Sequence, residues 1–120
     1  MYEAELKKEM LDLPSLRTTL KQFLQRFEYT SSQKRILSVI CDELILPVFN
    51  KSNTCKTADL KLLCSESGTR HIMTFNFKGL ESDPLQKPFL DDLNMMILEH
   101  YAAVVLSRKT DKGWIVSVQL

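Results

Sequence analysis

Along this chain hydrophobic and polar residues switch between two periods, and the switches divide it into elements. Tyr2, Ala4 and Leu6 alternate with Glu3, Glu5 and Lys7, which predicts a short strand whose charge suits a sheet edge. A helical N-terminal extension is the competing reading. Leu13, Leu16, Leu20, Phe23, Leu24 and Phe27 then recur at helical spacing, with Pro14 near the first turn. Thr30 and Gln33 match a capping box, so a second helix should start near Ser31. Its stripe is Ile36, Leu37, Ile40, Leu44 and Val48, widened by Val39, Cys41 and Ile45 as in a central helix covered on several sides. Pro47 lacks an N–H and clashes with the carbonyl four residues back, so the helix should kink or end around Leu46.

After a loop at Asn50 to Lys56 the period becomes two. Leu60, Leu62 and Cys64 alternate with Lys61 and Leu63, and Met73, Phe75 and Phe77 alternate with Ile72, Thr74 and Asn76. The "SESGT" between them holds the Gly of a hairpin turn. Beyond Gly79 and Asp83-Pro84-Leu85, the apolar residues Phe89, Leu90, Leu93, Met96, Ile97 and Tyr101 predict a third helix with Pro88 in its first turn. Ala103 to Ser107 and Trp114, Val116, Val118 and Leu120 are β-patterned, joined by a polar "RKTDKG" turn. The order β-α-α-β-β-α-β-β predicts an α+β fold, a two-layer sandwich of a mixed, mostly antiparallel sheet with about three helices on one face.

Bulk properties narrow the function classes. The chain has 120 residues, one domain's worth, and its 44% hydrophobic and 26% charged residues are those of an ordinary globular protein. A net charge of +1, with Lys and Arg dispersed, gives no electrostatic reason for nucleic acid or a membrane surface as partner. No stretch reaches the length of a membrane span, and the charged N-terminus does not read as a signal peptide. Three cysteines, Cys41, Cys55 and Cys64, lack disulfide or zinc spacing and read as buried free thiols in a reducing, cytoplasmic setting. His71 and His100 lie in different elements with no third metal ligand in pattern, so no metal site is expected.

Three segments carry a resemblance over nearly the whole chain. In "VICDELILPVF" Glu43 precedes Pro47 by four residues; in "TFNFKGLESDPL" Phe77 and Gly79 precede Asp83-Pro84-Leu85; and "DDLNMMIL" opens the last helix. The chain resembles the anti-sigma-factor, histidine-kinase-like ATPase domains, within the superfamily of gyrase, heat-shock chaperone and histidine-kinase nucleotide domains. The resemblance implies that Glu43 occupies the general-base position, that Gly79 and Asp83 belong to the nucleotide loop, and that Asp92 and Asn94 stand at the phosphate-contacting glycines. It also implies three losses. Pro47 stands where the family has its magnesium-holding Asn, Phe77 where an Asp reads the adenine amino group, and Asp92 and Asn94 where Gly brings backbone to phosphate.

Each loss has a physical cost. An unmade charge-assisted hydrogen bond costs about 1.5–3 kcal/mol. Two losses at about 2 kcal/mol each weaken binding roughly a thousandfold. The resemblance therefore implies one degenerate ATPase domain over residues 1–120, standing alone or within a longer protein. It would be a bacterial, cytoplasmic and non-enzymatic regulatory module for protein interaction or dimerisation. Its partner would be a sigma factor, an antagonist-like regulator or another domain of the same chain, with a homodimer as a further option, and no cofactor. The alternative is an active anti-sigma-factor serine kinase with non-standard boxes, using ATP and magnesium. A small-molecule binder using Asp92 and Asn94, and an unrelated α+β domain, also stay open.

Overall fold

A computed structural model describes residues 2–7, 31–64 and 71–120, together with Thr18, Lys21, Gln22 and Gln25. The helix expected over Leu13 to Phe27 lies outside the described residues except at those four positions, as do Thr30 of the expected capping box, the "SESGT" turn and the Cys64 side chain. The elements are β1 (Tyr2–Lys7), α1 (Ser31–Lys51), β2 (Thr57–Cys64), β3 (His71–Lys78), α2 (Asp92–Tyr101), β4 (Val104–Thr110) and β5 (Gly113–Gln119). The α+β class is as expected. Among the described residues no helix is long and apolar enough to cross a membrane.

The five strands form one sheet in the order β1-β2-β3-β5-β4. Every pairing is antiparallel, which corrects the mixed sheet expected from sequence. The last hairpin enters from the edge: α2 delivers the chain to β4, and β5 then turns back to lie beside β3. Register places Leu60, Phe75 and Val116 side by side, and Leu62, Met73 and Val118 in the next row. Side chains alternate across a sheet, so these rows share one face. That face is buried under α1, whose Leu37, Ile40, Cys41, Leu44, Ile45, Val48 and Phe49 complete the core. The periods read from sequence for β2, β3 and β5 are thus the real ones.

Three local expectations need correction. Pro47 does not end α1, which continues to Lys51. Proline leaves the Glu43 carbonyl without its helical N–H, but the next turn is anchored by buried Val48 and Phe49, and the ladder resumes with Ser52 N–H to the Val48 carbonyl at 2.8 Å. Only Asp111 and Lys112 of "RKTDKG" form the turn; Arg108 to Thr110 belong to β4 and Gly113 to β5. Gly113 is required there, since its φ is +155° and an added Cβ would lie 2.1 Å from the Phe77 carbonyl oxygen.

The third correction concerns α2. It begins at Asp92, with Asp91 as N-cap, and Phe89 and Leu90 are buried in the preceding turn, outside the helix. Within the helix Leu98 is the buried residue, while Leu93, Met96 and Tyr101 of the predicted stripe are exposed.

Candidate functional site

α1 and α2 bring two of the singled-out residues together. The Asn94 side-chain amide donates to Glu43 Oε2 at 2.7 Å. Asn94 is the third residue of α2, and its other bonds close a capping box. Its N–H donates to Asp91 Oδ1 at 2.8 Å, and its side-chain oxygen accepts from Asp91 N–H at 3.1 Å. A residue that caps its own helix and grips the neighbouring one is fixed from both sides. Asp91 is the functional partner that sequence reasoning missed. The signal was present, an Asp three residues before an Asn at the start of an apolar helix.

Gly79 and Asp83 lie on one loop but are held by different neighbours. Gly79 has φ +77° and donates its N–H to the Lys112 carbonyl at 2.6 Å. A Cβ there would sit 3.0 Å from the Thr54 carbonyl oxygen, so glycine serves both turn and close approach. The Thr54 hydroxyl lies 2.5 Å from the Gly79 carbonyl and 2.6 Å from Glu81 Oε2, with one proton for two acceptors. Hydrogen bonds from Thr54 and then Ser52 hold the Glu81 carboxyl below its usual range. Asp83 Oδ1 accepts from Leu85 N–H at 3.0 Å and from the Ser107 hydroxyl of β4 at 2.7 Å. This loop is tied down from both ends.

The remaining positions stand apart. Phe77 is fully buried, stacked with Phe75 at 6.2 Å and edge-on to Phe49 at 6.5 Å. Pro47 is half-buried one turn beyond Glu43, and Asp92 is exposed in the first turn of α2. A cleft of about 430 Å³ opens between the helices, lined by Val39, Glu43, Met96, Ile97, His100 and Tyr101. Of the seven candidate positions only Glu43 lines it. The Cys41 thiol, 3.6 Å from Met73 Sδ, is pushed well above the usual thiol range, first by burial and then by Asp42, so it stays protonated and inert. Among the described residues no three His, Cys, Asp or Glu side chains are grouped to hold a metal ion.

Among the candidate positions Glu43 and Asn94 therefore bond to each other, Asp83 bonds to Leu85 and Ser107, and Phe77 is part of the core. The Glu43–Asn94 bond supplies a contact between the two helices. Comparison with protein-family models finds no match, and comparison with the curated proteins finds none either.

Proposed function

We propose that this chain is a regulatory protein-interaction module, derived from an anti-sigma-factor-type ATPase whose nucleotide site has been replaced by packing. The observation that carries the reading is Phe77. At the position of the adenine-reading Asp stands a ring with no solvent exposure, wedged between Phe49 and Phe75. Further support comes from Glu43, whose carboxylate is engaged by Asn94, and from the β-α-β-β-α-β-β order of the described elements. With a helix over Leu13 to Phe27, as the sequence predicts, that order would be the one expected of a histidine-kinase-like domain. The partner is another protein or another domain of the same chain, of the sigma-factor or antagonist class, and neither ATP nor magnesium takes part.

The test is thermal unfolding with and without millimolar ATP or ADP and magnesium. A ligand at 100 times its Kd stabilises a fold by about 2.7 kcal/mol, which is several degrees in a domain of this size. The expected result is no shift. A magnesium-dependent rise would overturn the reading in favour of an active kinase. Restoring the family residue by Phe77→Asp is the wrong experiment, because a carboxylate in that ring cluster would unfold the protein.

A further inference from the structure

Of the large apolar side chains exposed among the described residues, Leu93, Met96 and Tyr101 project from α2, the first two at 58% and 60% exposure. Leu93, Met96 and His100 recur at helical spacing and form one outward ridge, roughly 10 Å long over two turns. Along one flank of this ridge run Asp92 and Glu99, both exposed. Along the other runs the cleft toward α1, with Glu43 in its wall. The register between the helices is antiparallel: Lys51 Nζ meets the Phe89 carbonyl at 3.1 Å, and Asn94 meets Glu43. Arg35, one turn before Val39, therefore lies toward the far end of the cleft. α2 itself contains two carboxylates, follows a third at Asp91, and has no Lys or Arg.

The result is an apolar ridge with an acidic flank at Asp92 and Glu99 on one side and, on the other, a groove whose wall holds one carboxylate, Glu43. Burial of exposed Leu, Met and Tyr supplies the affinity of such a surface, and the flanking charge selects the partner. A second copy of this chain fits poorly, since acidic flanks would face acidic flanks.

We infer that the α1–α2 groove docks an amphipathic helix of a partner protein that presents apolar residues one helical turn apart with Lys or Arg beside them. This rests on the interaction-module reading and names the surface and chemistry for it. The cationic flanks of the partner lie against Asp92 and Glu99 on one side and Glu43 on the other. Its apolar residues cover Leu93 and Met96 and enter the cleft beside Val39, Ile97 and Tyr101.

The test uses the full chain and two fluorescein-labelled helical peptides with the same Leu ridge, one flanked by Lys and one by Glu, read by anisotropy. The Lys peptide should bind at least about tenfold tighter than the Glu peptide, with the preference shrinking as salt rises. Met96→Asp should abolish binding. Asp92→Lys with Glu99→Lys should reverse the preference, with an unchanged circular dichroism spectrum showing the fold intact. Leu106→Asp, on the opposite face of the sheet, should change nothing. Equal binding of both peptides, binding insensitive to Met96, or a concentration-dependent dimer that Met96→Asp dissolves would each overturn the proposal. Such failure leaves the nucleotide titration unaffected, so the groove and the module reading are judged separately.

Discussion

α1 and α2 pack side by side on one sheet and use similar residues in opposite ways. α1 buries seven apolar side chains, Leu37, Ile40, Cys41, Leu44, Ile45, Val48 and Phe49. α2 carries Leu93, Met95, Met96, Ile97 and Leu98 and fully buries Leu98 alone. Besides Leu98 in the core and Met95 packed against it, α2 is held by polar bonds: its own capping box, the Asn94 bond to Glu43, and Lys51 reaching the Phe89 carbonyl. The difference teaches that apolar content does not say where a helix spends it. In α1 it is consumed by the core, and in α2 Leu93 and Met96 remain at the surface while Met95 and Ile97 are half-buried.

The sharpest way to break this comparison is to truncate one residue in each helix. Leu44→Ala should cost about 2–5 kcal/mol, while Met96→Ala should stay within about 0.5 kcal/mol, both from urea midpoints at constant slope. Equal costs would mean that α2 is as much core as α1. Next in size, Pro47→Ala should stabilise by about 1–2 kcal/mol. It restores the helical bond to the Glu43 carbonyl, and the gain of up to about 3 kcal/mol is reduced by the added freedom of the unfolded chain. If Pro47→Ala destabilises instead, the proline ring matters more for packing than the missing bond.

The polar attachment of α2 is tested by Asn94→Ala, expected to cost about 1–2 kcal/mol through the capping box and the Glu43 contact together. A double-mutant cycle with Glu43→Ala isolates the inter-helical part, and a coupling of zero would show that the bond contributes nothing. The last test is one of pH. Burial raises the Cys41 thiol above its ordinary 9.0, so its contribution is fully present below that value. As pH rises beyond it the unfolded chain loses a proton that the folded chain keeps. Stability should fall by up to about 1.4 kcal/mol per pH unit. Cys41→Ala should remove that slope, and an unchanged alkaline profile would show that another group controls it.

Much of this was legible in the pattern of residues. Period two located β2, β3 and β5 with their buried faces, because a half-buried strand must alternate. Ser31 was correctly read as the start of α1. The reading failed where a one-dimensional pattern has several spatial meanings. Phe89 and Leu90 continued an apparent helical stripe, yet they are buried in a turn, and the helix begins only after the Asp91 cap. Gly79 and Asp83 were legible as loop residues, but their holders, Thr54, Lys112 and Ser107, come from three other parts of the chain. Nothing local could announce that Asn94 would reach Glu43, fifty-one positions away.

The division follows from the range of the forces. Period, caps and turn residues act over a few positions, and with them the sequence alone determined where α1, β2, β3 and β5 lie and which face of these three strands is apolar. Burial is a property of what lies across from a side chain. Only the tertiary structure decided that Phe77 fills the core, that α1 runs on through Pro47, and that Leu93 and Met96 of α2 are exposed beside Asp92 and Glu99.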